Sequence, residues 1–343
     1  MRPVLMPPNR LVHFYRGGAG ITRLRRVPAP AERSPEEWLA SVTTRHGEVR
    51  TGLSALPDGT LLRDAVAADP AAWVGPHPLP GGPGDTGVLV KLLDAGQRLP
   101  VHLHPTREFA RHHLGSCYGK TEAWYVLGTS GERPQVHLGW RAEVSAADLA
   151  RAVAEQDAAW MLDRMHALDV RPGDAVHVPA GAVHAVGAGI LLVEVQEPTD
   201  LSLLVEHAGF AAPEDAFLGL AAADALAAVD RGAWGPERLA GLHRHVDLQA
   251  RAADPVRLLP PEADDFFRAD LVAPAPGTAV AVAAGFSVLV TVHGAGRLAW
   301  DGGDAGTSAV TAGDVLAVPH AAGPWSLAGD VAAVLCRPAP PGA

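Results

Sequence analysis

Lysine is nearly absent from this sequence of 343 residues. It occurs only at Lys91 and Lys120, so the other 26 of the 28 basic residues are arginine. A chain that uses arginine for generic positive charge is expected to keep lysine where a compact ammonium group is needed, because a planar guanidinium cannot replace it. The alternative is that the two lysines have no special role. We favour the first interpretation, because both lie in the segment that also carries the metal-binding motifs.

Cysteine is scarce as well, and the chain lacks an excess of positive charge. Cys117 and Cys336 are too few and too far apart for a disulfide framework or a Cys-x-x-Cys metal site. The 38 acidic residues outnumber the 28 basic ones, and the net charge of −10 argues against a nucleic-acid-binding protein. Hydrophobic residues make up 48% of the chain and charged residues 19%, so a sizeable core is expected rather than disorder.

Long uninterrupted apolar segments are also missing. Prolines and arginines break up residues 1–20, which therefore do not resemble a signal peptide. The one long uncharged run, residues 271–296, contains Pro274, Gly277 and Gly285, and we interpret it as buried strands rather than a membrane span. The sequence therefore predicts a cytoplasmic protein that has no membrane partner.

Turn residues between short apolar runs predict a mainly β protein with few helices. Residues 34–40 are predicted to form a helix that is capped by Ser34 and continued by Pro35. A helical insertion is predicted at about 145–166, where an apolar pattern of helical period follows a capping serine. The third predicted helix spans residues 213–229, which are rich in alanine and leucine.

A short internal repeat indicates a duplicated architecture. Residues 171–179 (RPGDAVHVP) match residues 311–319 (TAGDVLAVP), and both consist of a Gly-Asp turn, an apolar run and a proline. Two small antiparallel jelly-roll domains account for this repeat. The predicted organisation comprises an N-terminal segment that contributes to the first domain, a metal-binding core, a helical linker and a second domain: residues 1–90, 91–205, 206–255 and 256–343. The second domain is predicted to bind no metal.

Histidines with the spacing of metal ligands lie in the predicted core. His102 and His104 are two residues apart in a predicted strand, which places both imidazoles on one face. An isolated His-x-His pair more often means that two histidines face solvent on one side of a strand than that they bind a metal. Here Gly96 precedes the pair by six residues, and a second motif, Gly-x5-Pro-x-Gly-x2-His, ends at His184. Glu122 lies between the two motifs and starts another predicted strand.

These motifs resemble the two metal-site motifs of the cupin superfamily. The carboxylate of the first motif normally follows its histidines closely, whereas Glu122 comes eighteen residues after His104. That delay, together with the segments VHLHP at 101–105 and GKTEAWY at 119–125, resembles type I mannose-6-phosphate isomerases. The resemblance implies a mainly β fold with two cupin-like domains and a helical insertion. It also implies a metal-dependent aldose–ketose isomerase that converts mannose-6-phosphate, or a related sugar, through an enediolate.

The resemblance assigns roles to individual residues. The implied metal ligands are three histidines and one glutamate: His102, His104, His184 and Glu122. Three imidazoles and a carboxylate suit one divalent ion, Zn²⁺ first and Mn²⁺ or Fe²⁺ as alternatives. Lys120 lies two residues before Glu122, so it is expected to point into the same cavity and to help move the proton. Glu194 matches the family's carboxylate on the strand after the last motif histidine. The implied role is to act as a base or to position a substrate hydroxyl group.

The expected substrate is a sugar or a sugar phosphate. Lys91 is predicted to reach the cavity from a neighbouring strand, and Arg107 and Arg111, in the loop between the ligands, to bind the substrate. The family has a substrate-binding arginine ten residues after the position of Glu194, where this chain has Leu204. The phosphate is therefore predicted to contribute little to recognition.

Two alternatives to an isomerase remain at the level of the sequence. Three histidines and one glutamate also suit a cupin oxidoreductase or dioxygenase that uses iron or manganese. A cupin that binds a sugar without converting it is the other alternative. The sequence leaves open the sugar, the metal and the oligomeric state.

Overall fold

The computed structural model describes residues 1–340 and residue 342. Within this part of the chain the fold is mainly β, as predicted, and the helices are short. The strands, in chain order, are β1 (Val4–Leu5), β2 (Arg10–Leu11), β3 (Glu36–Leu39), β4 (Leu89–Asp94), β5 (His102–Leu103), β6 (Glu122–Thr129), β7 (Gln135–Trp140), β8 (Met165–Asp169), β9 (Asp174–Val178), β10 (His184–Val186), β11 (Ile190–Gln196), β12 (Leu203–Leu204), β13 (His243–His245), β14 (Val256–Arg257), β15 (Phe267–Val272), β16 (Ala279–Val282), β17 (Ser287–Trp300), β18 (Gly306–Thr311), β19 (Val315–Val318) and β20 (Trp325–Pro338).

The helices lie between these strands. In chain order they are α1 (Gly20–Arg25), α2 (Leu62–Ala68), α3 (Pro70–Val74), α4 (Arg107–Leu114), α5 (Ala146–Glu155), α6 (Ala158–Arg164), α7 (Ala222–Leu226) and α8 (Pro236–Leu242). None of the helices in the described residues is long and apolar enough to cross a bilayer.

The strands form three antiparallel sheets. The first has five strands in the order β12-β5-β10-β7-β8, and the second has seven in the order β13-β9-β6-β11-β4-β3-β2. The third has eight strands, of which β1-β19-β17-β20-β15-β14 form one path, while β16 and β18 pair with β20 and β17. The first two sheets share an apolar core, to which Trp124 and Val126 contribute from one sheet and Leu138 and Val186 from the other.

The seven-stranded sheet lies between the other two, and both of its faces are buried. Along β4, Val90 and Leu92 pack into the core that is shared with the eight-stranded sheet, whereas Leu93 packs toward the five-stranded sheet. Side chains alternate between the faces of a sheet with a period of two. Lys91 therefore points to the side of the five-stranded sheet, although its neighbours in sequence are core residues.

The sequence repeat corresponds to a repeated turn. Gly173 and Gly313 both have a positive φ, of 95° and 96°, which glycine adopts without strain. In each turn the aspartate that follows accepts a hydrogen bond from the backbone N–H three residues earlier, at 2.9 Å for Asp174 and 2.8 Å for Asp314. Strand β9 begins at Asp174, and strand β19 begins at Val315, the residue after Asp314.

The structure contradicts two of the three predicted helices. It confirms the third, which is divided into two shorter helices. Residues 36–39 form strand β3, because Trp38 is fully buried between β2 and β4 and this packing outweighs the local capping signal. Residues 213–229 are mostly turns around the five-residue α7, and Leu218 and Gly219 with positive φ interrupt the helical path. The insertion at 145–166 forms α5 and α6, and Ser145 caps α5 as expected.

The segments that flank the predicted core are shared between sheets. Strand β1 pairs with β19 of the eight-stranded sheet, so residues 1–90 contribute to more than the first domain. Strand β13 pairs with β9, which makes part of the predicted linker 206–255 an edge of the seven-stranded sheet. The domain boundaries and the absence of metal from residues 256–343 stay predictions.

Candidate active site

The three predicted histidine ligands lie together between the first two sheets. His102 on β5 and His184 on β10 are directly opposite each other in the five-stranded sheet, and His104 follows β5. The ring centroids are 4.1 Å apart for His102 and His184, 4.8 Å for His104 and His184, and 5.0 Å for His102 and His104. One nitrogen of each ring lies within 4.8 Å of the corresponding nitrogen of the other two, and all three side chains are buried.

Backbone carbonyls orient the three imidazoles. The Nδ1 atoms of His102, His104 and His184 each lie 2.9 Å from a carbonyl oxygen, of Pro100, Leu201 and Ala182 respectively. A carbonyl only accepts hydrogen bonds, so these contacts assign the ring proton to Nδ1 and leave the Nε2 lone pairs directed at one another. Burial lowers the pKa of all three rings, that of His104 to about 3, so they stay neutral.

Glu122 approaches the histidines from the facing sheet. Its Oε2 lies 2.9 Å from His104 Nε2, and its Oε1 lies 3.4 Å from His184 Nε2. Trp124, two residues along β6, donates an indole hydrogen bond of 3.0 Å to Oε1 and so holds the carboxylate in place. Burial opposes the charge of Glu122, but the nearby ammonium group of Lys120 outweighs it and keeps the pKa of this carboxyl well below its usual range.

Lys120 lies against two of the ligand residues. Its Nζ is 2.8 Å from His104 Nε2 and 3.1 Å from Glu122 Oε2, and the side chain is buried. The position of Lys120 depends on a close backbone approach, since a Cβ on Gly119 would lie 2.6 Å from the carbonyl oxygen of Pro105. Lys120 N–H donates to that same carbonyl at 3.0 Å.

The donor set fits a divalent metal ion. The Nε2 of His104 and the Oε2 of Glu122 both present lone pairs at 2.9 Å, and in this structure the ammonium group of Lys120 lies 2.8 and 3.1 Å from them. The Nε2 of His184 is buried and has no hydrogen-bond partner among the described residues. A buried polar atom without a partner is costly, and a metal bond would satisfy it. His102, His104 and His184 can therefore hold a divalent metal, with Glu122 next to two of them.

A second buried cluster lies beside the histidines on the same face of the seven-stranded sheet. Lys91 Nζ is 3.1 Å from Glu194 Oε1 and 3.5 Å from Glu36 Oε2. Glu36 also accepts hydrogen bonds from the Tyr15 hydroxyl, at 2.5 Å, and from the Trp38 indole, at 2.8 Å. These three charged side chains come from β11, β4 and β3, which are neighbours in the sheet.

The two carboxylates of this cluster differ in their protonation. Burial raises the pKa of Glu194 to about 7, although the adjacent Lys91 acts in the opposite direction. For Glu36 burial is outweighed by Lys91, His13 and its hydrogen-bond donors, and its pKa lies far below the usual range. Lys91 loses hydration through burial, but Glu194 and Glu36 more than compensate and raise its pKa. Near neutral pH, Glu194 is the carboxyl that can both take up and release a proton.

Both clusters open into one cavity of about 940 Å³. Its lining includes the side chains of both clusters, namely His102, Lys120, Glu122, Lys91, Glu194 and Glu36. Aromatic and apolar residues also line the cavity, among them Phe14, Trp124, Leu204 and Phe210. A cavity of this size with a few converging polar groups is typical of a small-molecule site.

The structure does not bring the predicted substrate-binding arginines to this cavity. Arg107 Nε forms a 2.6 Å ion pair with Glu197, and its guanidinium lies 4.6 Å from the ring centroid of Phe266. Arg111 is exposed on α4, and neither arginine lines the cavity. Thr106 caps α4, and both arginines lie on this helix, so their role in substrate binding stays a prediction. Leu204, in contrast, lines the cavity beside His102.

Sequence reasoning missed several residues of the site. Glu36 was assigned to a helix, and nothing in its neighbourhood indicated that it pairs with Lys91. Tyr15 and Trp38, which hold Glu36, and Asp200, which lines the cavity, also escaped notice. One feature of the sequence is compatible with strand β3. Glu36 and Trp38 are two residues apart, which places both side chains on the same face of a strand, and all four residues of β3 are buried.

Comparison with known proteins supports the predicted resemblance. A mannose-6-phosphate isomerase from Bacillus subtilis is 34% identical over 119 residues, which are 33% of this chain and 34% of that protein. A mannose-6-phosphate isomerase from Streptococcus mutans is 36% identical over 118 residues, which are 34% of this chain and 35% of that protein. The matched region thus spans about a third of the length of these curated relatives. No family model matches the chain.

Solved structures extend the similarity to almost the whole chain. The crystal structure of the Bacillus subtilis mannose-6-phosphate isomerase matches with a TM-score of 0.71 and 20% identity, over 98% of this chain and all of that chain, 100%. A mutant of phosphomannose isomerase from Salmonella typhimurium matches with a TM-score of 0.73 and 15% identity, over 99% of this chain and 100% of that chain.

This chain has the fold of mannose-6-phosphate isomerases. The predicted mainly β, cupin-like fold and the resemblance to the mannose-6-phosphate isomerase family are thereby confirmed. Both sequence relatives carry the name of an isomerase.

Proposed function

We propose that this protein is a metal-dependent aldose–ketose isomerase that acts on mannose-6-phosphate or a related sugar. The proposal depends above all on one observation. His102 of the histidine cluster and the Lys91–Glu194 pair, which come from facing sheets, line the same cavity. Metal donors and a titratable carboxyl at one substrate site are what an isomerase needs.

The proposed metal is Zn²⁺, held by His102, His104, His184 and Glu122. Three neutral imidazoles and one carboxylate are a suitable Zn²⁺ set, and Mn²⁺ or Fe²⁺ would be accepted by the same donors. When bound, the ion would polarise the sugar carbonyl and stabilise negative charge on two adjacent sugar oxygens. The hydrogen bonds from the Nδ1 atoms to backbone carbonyls keep the three imidazoles in the orientation that this requires.

Glu194 is proposed to move the proton between the two sugar carbons. In the aldose-to-ketose direction, the C2–H bond breaks and its proton goes to the carboxylate, which leaves an enediolate. The hydroxyl proton on O2 moves to O1, and the same carboxyl gives a proton to C1, which completes the ketose, so the reaction needs no oxidant and no further cofactor. With its pKa at about 7, Glu194 is present in both protonation states near neutral pH, which is the best condition for a group that acts as base and acid.

The lysines are proposed to position and balance these groups. Lys91 lies 3.1 Å from Glu194 Oε1 and so fixes the direction in which the carboxyl points. Lys120 is proposed to donate to a substrate oxygen, because its Nζ lies next to His104 and Glu122 and lines the cavity. A donor directed at an oxygen that gains negative charge lowers the barrier more than it strengthens substrate binding.

The test is an aldose–ketose assay on Zn²⁺-loaded protein in deuterated water. Mannose-6-phosphate, mannose and glucose are supplied separately, and ketose formation is followed by NMR. We expect a ketose that carries solvent deuterium at C1, and we expect Glu194→Gln to lower kcat at least a hundredfold while metal content is retained. A metal-loaded protein that forms no ketose from any of these aldoses would refute the proposed function.

A further inference from the structure

Lys120 and Glu122 flank Thr121 at the start of β6, and both of their side chains line the cavity. Glu197, the residue after β11, donates its N–H to the carbonyl of Thr121 at 3.0 Å, as in the ladder of an antiparallel sheet. The N–H of Thr121 departs from this ladder, because it donates to the carboxylate Oε2 of Glu197 at 2.9 Å. A single side chain therefore holds the backbone amide between two residues of the site.

The carboxylate of Glu197 is buried, and a cation balances its charge. The side chain is 1% exposed, and Arg107 Nε lies 2.6 Å from its Oε1. Within the described residues, Arg107 is the only lysine or arginine in an ion pair with Glu197. A buried carboxylate that lost this partner would move toward water or take up a proton, and either change would weaken its hydrogen bond to Thr121.

Arg107 is held in turn by the segment that leads into the eight-stranded sheet. Its Nη2 donates to the carbonyl of Asp265 at 2.9 Å, and its guanidinium lies 4.6 Å from the ring centroid of Phe266. Strand β15 of that sheet begins at the next residue, Phe267. The ion pair thus connects the backbone beside the metal ligands to a sheet none of whose described residues lines the cavity.

The backbone of Lys120 is fixed on its other side by α4. Lys120 N–H donates to the carbonyl of Pro105, just before that helix, at 3.0 Å. Lys120 Nζ lies 2.8 Å from His104 Nε2 and 3.1 Å from Glu122 Oε2. Contacts this short depend on the position of the backbone, and a misplacement of about 1 Å at a reacting group can lower a rate about a hundredfold.

We propose that the Arg107–Glu197 ion pair positions Lys120 and Glu122 for the reaction. The proposal rests on the proposed isomerase function and adds two positioning residues that do not line the cavity. Arg107 then acts through Glu197 rather than on the substrate. The eight-stranded sheet gains a role at the site, because the segment before β15 holds the arginine.

The primary test is Arg107→Met, which keeps a side chain of similar length but leaves the Glu197 carboxylate without its cation. With an aldose that the Zn²⁺-loaded parent converts, such as mannose-6-phosphate, we expect kcat to fall about ten- to a hundredfold. KM should change less than about threefold, and the metal should be retained. An unchanged kcat would overturn the proposal. A raised KM at constant kcat would also overturn it, since that result would show that Arg107 binds the substrate directly.

A second substitution provides a test by rescue. In Arg107→Met/Glu197→Gln the buried side chain is uncharged and needs no cation, and its amide oxygen can still accept from Thr121 N–H. We expect kcat of this double variant to return to within about threefold of the parent. Glu197→Ala removes the acceptor and should lower kcat as much as Arg107→Met does. A double variant as slow as Arg107→Met would count against the proposal.

The matched control is Arg337→Met, which removes an ion pair of 2.5 Å with the mostly buried Asp270. Both residues belong to the eight-stranded sheet, and neither lines the cavity. This variant should lower the midpoint of urea unfolding, as Arg107→Met does, but should leave kcat within about twofold of the parent. Equal losses of kcat in the two variants would mean that reduced stability alone slows the reaction, and the proposal would fail.

Hydrogen exchange of the metal-free protein separates this proposal from the proposed function. The amide of Thr121 should exchange at least about tenfold faster in Arg107→Met than in the parent, and at the parent rate in Arg337→Met. If the parent converts no aldose but the variants show this difference, the isomerase function fails and the positioning of the Thr121 backbone holds. If the parent converts an aldose while Arg107→Met keeps the parent kcat and exchange rate, the function holds and this inference fails.

Discussion

Lys91 and Glu194 lie directly opposite each other on paired strands, and the ammonium nitrogen of Lys91 is 3.1 Å from the Oε1 of Glu194. The partner on the other side of Lys91 is Glu36, at 3.5 Å, and the ring of Trp38 lies 5.0 Å from the same nitrogen. A compact ammonium fits between two carboxylates in this buried space, whereas a planar guanidinium would displace one of them. This geometry gives a physical reason why the arginine-rich chain has a lysine at position 91.

Glu36→Gln is expected to destabilise the protein by about 2–4 kcal/mol, because it leaves Lys91 buried with one carboxylate partner instead of two. Urea unfolding followed by circular dichroism measures the change. The matched control is Glu48→Gln, which removes a 43% exposed ion-pair partner of Arg45 and should cost less than about 0.5 kcal/mol. If both variants lost the same stability, Glu36 would not be a buried charge partner.

Glu194→Gln is expected to change how the stability of the metal-free protein depends on pH. Burial raises the pKa of Glu194 to about 7 in the folded chain, above its value in the unfolded chain. At a pH below both pKa values, the carboxyl is protonated in the folded and in the unfolded chain. As pH rises toward 7 the unfolded state loses the proton first, so the parent loses stability relative to the variant, by about 1–3 kcal/mol between pH 5 and pH 8.

The measurement is urea unfolding of parent and variant at several pH values, in the presence of a chelator. Only the difference between the two proteins is informative, because the depressed pKa of His104 acts in the opposite direction in both of them. Its stabilising contribution is present above the usual histidine pKa and is lost as pH falls toward about 3. A parent–variant difference that stayed constant from pH 5 to pH 8 would contradict the raised pKa of Glu194.

Lys120→Met is expected to lower kcat/KM by about 10²–10⁴-fold while the protein still binds its metal. The variant removes the positive charge beside His104 and Glu122 but keeps a side chain of similar length. The positive charge of Lys120 repels a metal cation, so its removal should not weaken metal affinity. Metal analysis and sugar turnover are measured on one sample. Arg111→Met, at an exposed position outside the cavity, is the control and should change turnover less than about twofold.

His184→Ala is expected to abolish the binding of one divalent metal per chain and the stabilisation that Zn²⁺ confers on the parent. The readouts are the metal content after gel filtration and the shift of Tm on addition of Zn²⁺. The matched control is His177→Leu, since His177 on β9 is also buried and its ring nitrogens have no hydrogen-bond partner in the described part of the chain. That variant should keep its metal and be as stable as the parent or more so. Metal loss in His177→Leu, or retention in His184→Ala, would refute the assignment.

Local sequence patterns were sufficient wherever the answer depended on spacing along one strand. The period of two placed His102 with His104, and Lys120 with Glu122, on common faces, and the delayed glutamate pointed to the right fold family. The patterns did not indicate where the side chains of Glu36 and Arg107 point. In both cases a capping or loop signal was present, and contacts with distant parts of the chain determined where the side chain points.

The sequence by itself determined the β-rich fold class and the repeated Gly-Asp turn, because both follow from residue type and short-range spacing. It indicated the candidate metal ligands through motifs that resemble those of a known family. Only the tertiary structure decided that histidines from a five-stranded sheet face carboxylates and lysines from a seven-stranded sheet across one cavity. It also decided that Glu36 joins them and that the arginines of α4 do not. The physical reason is that the pairing of distant strands depends on burial summed over whole sheets, which no short segment contains.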